Sequence, residues 1–152
     1  MNVMIKKTIV KTTILSFFLC ISVAANAQTP SMLEKKWNSV MNAIEQVESK
    51  GNCKAVSADG QFVGCMQISK ILVRQCNIIK GSQYFTYNDR YSRAKSREMF
   101  VVFQEHFNPE GNTEKAIRLW NSGDLKCMQR KASTDGYYRR VMAKYDQMAL
   151  NN

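Results

Sequence analysis

Histidine is nearly absent from this 152-residue chain: His106 stands alone. No C-x-x-C pair occurs either, so the ligand spacings of a structural or catalytic zinc site are missing and no metal is expected. Acids are also few, 12 Asp and Glu against 22 Lys and Arg, which gives a formal charge of +10. Internal repeats and low-complexity tracts are lacking, which excludes a solenoid and leaves room for one domain. Beyond the N-terminal stretch no apolar run approaches the ~18 residues that a membrane-spanning helix needs.

That N-terminal stretch has the layout of a secretory leader. Lys6, Lys7 and Lys11 form a basic region without acids, an apolar run follows from Ile14 to Ala25, and Ala25-Asn26-Ala27 offers small residues for signal peptidase. The expected organisation is a signal peptide over 1–27 and one domain over 28–152, exported to the periplasm or the cell exterior. Cys20 is preceded by Leu19 rather than a small residue, which argues against lipidation. Cleavage would leave 125 residues, enough for a real core, and a charge of +7. An exported basic domain suits anionic envelope polymers rather than nucleic acid.

Four cysteines remain after the leader: Cys53, Cys65, Cys76 and Cys127. An even number in an exported chain points to two disulfides. Three pairings are possible, and Cys53–Cys65 with Cys76–Cys127 is the one favoured. The first would close a short loop, which the chain-entropy argument values at about 3 kcal/mol.

Ser31-Met32-Leu33-Glu34 has capping-box spacing, and Leu33, Trp37, Val40, Met41, Ile44 and Val47 then recur every three or four residues. A first helix should therefore run to about Lys50, with Gly51 as its stop and Glu48 at the edge of its buried stripe. Ala55–Ala58 and Gln61–Val63 flank Asp59-Gly60 and predict a small hairpin. Ser69 should cap a second helix to about Cys76. A long connection through Gly81 and residues 84–88 leads to a third helix, expected over 89–107 with Phe100, Phe103 and Phe107 on one face. Asn108-Pro109-Glu110-Gly111 breaks it. Thr113 should cap a fourth helix through Trp120, ending at Asn121-Ser122-Gly123. A last helix is expected over 134–149, with Tyr138, Val141, Met142 and Tyr145 inward. The fold class is mainly α, with one small β-hairpin beside the Glu48 helix.

Glu48 is the residue best placed for chemistry. Burial favours its neutral form, and the negative end of the helix dipole does the same. A protonated glutamate at neutral pH is what a general acid requires. Gly64-Cys65-Met66-Gln67 follows the hairpin, with a glycine that permits close backbone approach and an amide that both donates and accepts. Trp120-Asn121-Ser122-Gly123 sets an aromatic ring and an amide at a helix end, a pairing suited to sugar rings and N-acetyl groups.

Taken in order, Glu48-Ser49, Gly64-x-Met66-Gln67, aromatic-Asn-x-Gly at 120–123 and Thr134-x-x-Tyr137 make the chain similar to the lytic transglycosylase family of lysozyme-like fold, over about residues 35–147. The resemblance implies cleavage of peptidoglycan glycan strands without metal or cofactor. It implies that Glu48 is the single catalytic acid and base, that Ser49 supports it through a hydrogen bond, and that Met66 and Gln67 line the cleft beside a substrate N-acetyl group. Asn121 would orient substrate or Glu48, and Tyr137 would face the glutamate. The family usually has Tyr where this chain has Trp120, and it does not require cysteines in the hairpin. Related lysozymes carry a second carboxylate before the Gly-x-x-Gln turn. Here Gln61, Phe62 and Val63 stand there, and the nearest acid, Asp59, belongs to the expected turn. A one-carboxylate transglycosylase is therefore favoured over a lysozyme-type hydrolase, and both over a peptidoglycan-binding component without activity. Size and analogy suggest an accessory to a conjugation or secretion apparatus.

Overall fold

The computed structural model describes residues 32–151, with side chains from Lys36 onward. The expected leader, Cys20 and the Ser31 capping box lie outside the described residues. The domain is mainly helical with a two-stranded antiparallel sheet. Helix α1 spans Met32–Ser49, β1 Phe62–Val63, β2 Ile68–Ser69, α2 Lys70–Lys80, α3 Arg93–Phe107, α4 Thr113–Ser122 and α5 Asp135–Leu150. Short 3-10 helices at Tyr87–Tyr91 and Lys131–Thr134 lead into α3 and α5. Among the described residues no helix is long and apolar enough to cross a membrane.

Helix α1 is the centre of the molecule and packs mainly on α5 and α3. Its Trp37, Val40, Met41 and Ile44 are buried at the helical spacing that defines one apolar face. From the other elements Met66, Ile68, Met99, Phe100, Ile117, Leu119 and Val141 complete the core. Lys50, not Gly51, takes the first left-handed position after α1, at φ 56°, and the Gly51 N–H returns to the Glu45 carbonyl at 3.0 Å. The Lys50 N–H, nested inside that bond, donates to the Gln46 carbonyl at 3.2 Å, and Gly51 follows at φ 77°.

The hairpin differs from expectation. The Asp59-Gly60 turn is present, with the Ser57 N–H donating to the Phe62 carbonyl at 2.8 Å. The arm over 55–58, however, contributes a single bridge, Val56 to Val63. The ladder lies on the other side of β1, pairing Phe62 with Ser69 and Val63 with Ile68 across the Gly64–Gln67 turn. The physical reason is burial. Val63 and Ile68 are both enclosed by the core, whereas Val56 is 56 % exposed.

Helix boundaries follow their caps. Ser69 caps α2 through the Leu72 N–H at 3.2 Å, but the helix runs past Cys76 to Lys80, where Gly81 takes the left-handed position. The third helix is broken at Ser92, whose hydroxyl accepts from the Lys95 N–H at 3.4 Å. The cap of α4 is Asn112 rather than Thr113, through a 2.9 Å bond from the Lys115 N–H. In α5 Val141 is fully buried, and Tyr138, Met142 and Tyr145 pack partly buried against the core.

All four described cysteines are free thiols. Cys53 and Cys65 lie in hydrogen-bonding contact, which pushes Cys65, already raised by burial, up to about 12. The expected Cys76–Cys127 bridge is absent. The Cys76 thiol instead donates to the Met99 carbonyl of α3 at 3.5 Å, and burial raises it to about 12. Cys127 is enclosed in the turn after α4, raised by burial and by Asp124.

Candidate active site

A cleft of about 660 Å³ opens between the β1–β2 turn, α2 and the C-terminal end of α4. Glu48, from the last turn of α1, is the one ionisable side chain among its lining residues. Phe62, Leu72, Phe103, Phe107 and Leu119 make much of the wall apolar, while Gln67, Ser69, Gln75, Asn121 and Ser122 supply hydrogen-bonding groups. An apolar cavity with a few convergent polar groups is the common form of a small-molecule or saccharide site.

Burial is the largest influence on Glu48 and raises it above the usual carboxylate range. Two lesser influences work against burial: a hydrogen bond from Tyr137 and the nearby positive charge of Arg140. The Tyr137 hydroxyl donates to Glu48 Oε1 at 2.7 Å. Burial, and then Glu48, push the Tyr137 phenol well above its usual value, so it stays a donor. Oε1 is thus occupied, and among the described residues no hydrogen bond reaches the other oxygen.

The remaining expected residues divide. Gln67 lines the cleft in a left-handed conformation, φ 48°, with its side-chain N–H donating to the Gly64 carbonyl at 2.9 Å. Trp120 lines it too, tilted against Phe100 at 5.0 Å and edge-to-face with Phe103 at 6.3 Å between ring centres. Asn121 is exposed at the cleft wall.

Three assignments need correction. The Ser49 hydroxyl does not reach Glu48; it donates to the Cys65 carbonyl at 2.8 Å and so ties the end of α1 to the β1–β2 turn. Met66 is fully buried and belongs to the core, not the cleft wall. Gly64 does permit a close backbone approach, but to the protein itself, since a Cβ there would lie 1.8 Å from the Arg90 carbonyl oxygen.

Asp59 stays in its own turn. It accepts from the Ser57 hydroxyl at 2.6 Å and the Gln61 N–H at 3.0 Å, and these bonds hold it below its usual range. Sequence reasoning passed over Phe62, Gln75, Leu125 and Arg140. For Arg140 a signal existed: it lies three residues after Tyr137 in α5, hence on the same helix face. Its guanidinium sits 5.7 Å from the Tyr137 ring centre. Among the described residues no group of three or more His, Cys, Asp or Glu is placed to hold a metal.

No family model matches the chain, and neither a curated protein nor a solved structure matches it. The geometry of the cleft therefore carries the functional argument.

Proposed function

We propose that the protein is a peptidoglycan lytic transglycosylase of lysozyme-like fold, exported to the periplasm or cell exterior. The observation that carries this reading is the solitary carboxyl of Glu48, half-buried in a largely apolar cleft and held by Tyr137, with no second acid among the lining residues. A retaining glycosidase needs a partner carboxyl roughly 5 Å away and an inverting one needs it somewhat further off. The cleft wall supplies neither, which favours a mechanism with one group acting twice.

In that mechanism Glu48 protonates the oxygen of the β-1,4 bond between N-acetylmuramic acid and N-acetylglucosamine, and the C1–O bond breaks. The substrate acetamide steadies the oxocarbenium-like centre. Glu48, now a carboxylate, takes the proton of the muramoyl 6-hydroxyl as that oxygen closes onto C1, which gives a 1,6-anhydro ring and returns the acid to its starting form. Gln67 and Asn121 offer amides for N-acetyl groups, and Trp120 offers a partly exposed ring edge for a sugar. The reaction needs no metal or cofactor. Action beside a conjugation or secretion apparatus remains the role that size suggests.

Mass spectrometry of digested sacculi tests the reading. Anhydromuramoyl products are expected from the parent and none from Glu48→Gln. Products with reducing-end muramic acid alone would assign a lysozyme-type hydrolase. Sacculus binding without cleavage by the parent would leave a binding component.

A further inference from the structure

Helix α2 carries no acidic residue, and among the described residues nothing covers Ile71 and Ile78 on its outward face. Ile71 and Ile78, seven residues apart and therefore on one face, are 68 % and 72 % exposed. Arg74 lies between them on the same face. Lys70 and Arg74 converge on Tyr87: the Lys70 ammonium is 5.3 Å from the ring centre, and Arg74 Nη1 donates to the hydroxyl at 3.5 Å. Tyr87 is itself 42 % exposed. At the far end of the helix the Lys80 ammonium sits 4.8 Å from the exposed ring of Tyr84.

The charge of this face is not neutralised within the protein. Lys70, Arg74 and Lys80 form no ion pair among the described residues. The nearby acids are already engaged. Asp89 accepts from the Thr86 N–H at 2.7 Å, and Glu98 pairs with Lys95 at 2.8 Å.

We propose that this face of α2, with Tyr87 beside it, docks on an anionic phospholipid surface. Three features select that occupant. The cations match lipid phosphates. The two isoleucines project where a helix lying in the interface would insert its apolar side chains. Tyrosine is a residue that settles at the headgroup level. A purely polyanionic partner would account for the cations but not for two isoleucines standing free in solvent. The surface adjoins the cleft, because Ile71 also lines the cleft mouth. It does not depend on Glu48 being catalytic.

The test is sedimentation of the full chain with vesicles of phosphatidylcholine alone and of phosphatidylcholine with about a third phosphatidylglycerol. Every variant keeps the same N-terminus, so differences between variants report the α2 face and not the apolar segment over 14–25. The parent is expected to bind the anionic vesicles more tightly than the neutral ones. Loss of each cation should weaken partitioning about five-fold, so Lys70→Gln with Arg74→Gln falls by about 25-fold. Ile78→Ser should weaken it roughly ten-fold, while Arg74→Lys keeps it. The three substituted side chains, Lys70, Arg74 and Ile78, are exposed, and unchanged melting curves would show that the variants fold. Equal partitioning of parent and variants would overturn the proposal. So would a loss confined to the cation variants with Ile78→Ser unaffected, because that pattern belongs to an acidic polymer or protein partner.

Discussion

Replacing Gly64 by alanine tests how the cleft wall is held. The residue sits at φ 83°, and an added Cβ would stand 1.8 Å from the Arg90 carbonyl oxygen and 2.9 Å from its carbon. The left-handed conformation alone costs a non-glycine residue about 1–2 kcal/mol. The contact adds more, because backbone rather than a flexible side chain must move by over an ångström, and overpacking of this kind costs about 1–3 kcal/mol. The Arg90 carbonyl also accepts from the buried Ser96 hydroxyl at 3.1 Å, so moving it strains a bond worth about 1 kcal/mol.

A total near 4 kcal/mol is expected. Gly60→Ala is the control, with a similar φ of 71° but open space where its Cβ would go. It should cost only the conformational part. At about 2.1 cal/mol/K per residue, a domain of this size loses roughly 4 °C of Tm per kcal/mol, so Gly64→Ala should melt about 16 °C below the parent and Gly60→Ala about 4–8 °C below. Urea unfolding of the three proteins reads the same difference. If Gly64→Ala is no less stable than Gly60→Ala, the backbone contact does not constrain the turn and the reasoning fails.

Tyr137→Phe should lower kcat/KM for glycan cleavage by about 10–100-fold, the worth of a hydrogen bond to a charged group. It should also move the Glu48 limb of the pH–rate profile upward, since the lost bond favours the carboxylate; an unmoved profile would detach Tyr137 from Glu48. Glu48→Gln should stabilise the fold near neutral pH. An acid whose folded pKa is raised binds its proton more tightly folded than unfolded, so its contribution is favourable at low pH and is lost as pH rises from the unfolded toward the folded value. Urea unfolding should therefore separate variant from parent at pH 7.5 and bring them together near pH 3.5, and the opposite trend would contradict a raised Glu48. Thiol titration of residues 28–152, without Cys20, in denaturant after air oxidation should find two reactive thiols, Cys76 and Cys127, with the adjacent Cys53 and Cys65 joined. Four thiols or none would refute that division.

The helices were legible because apolar period and caps act locally. Trp37, Val40, Met41 and Ile44 form a buried face at the spacing that the sequence displays, and the Glu48 side chain lies at its edge. What was illegible depends on partners distant in the chain. Nothing around residue 64 signals the Arg90 carbonyl, so a glycine needed for internal packing reads as one reserved for a ligand. Ser49 adjoins Glu48 in sequence, yet its hydroxyl turns to a carbonyl sixteen residues on. Met66 and Gln67 are neighbours with opposite fates because Gln67 adopts a left-handed turn that carries it to the cleft while Met66 enters the core. Thr113 could have capped α4, but Asn112 stands one position earlier and its side chain reaches the Lys115 N–H.

The last two glutamates of α1, Glu45 and Glu48, show why helix position alone could not assign a role. Glu45 and Glu48 lie three residues apart, both near the C-terminal end where the dipole disfavours negative charge. Glu45 is buried, but α3 meets it with two guanidiniums, Arg97 at 2.7 Å and Arg93 at 3.2 Å. Arg97 is further fixed by Asn38 and Asn42, so that carboxylate is tied into a bridge between helices and has no oxygen free for a ligand. Glu48 meets α5 instead. There a neutral phenol occupies one oxygen, and Arg140 acts only as a weaker influence than burial. The same residue type on the same helix is thus an anchor where two cations enclose it and, in the proposed reaction, a proton donor where one hydroxyl and an apolar cleft surround it. The difference originates some fifty and ninety residues further along the chain, in α3 and α5, and it is the packing of those helices on α1 that decides which glutamate can do chemistry.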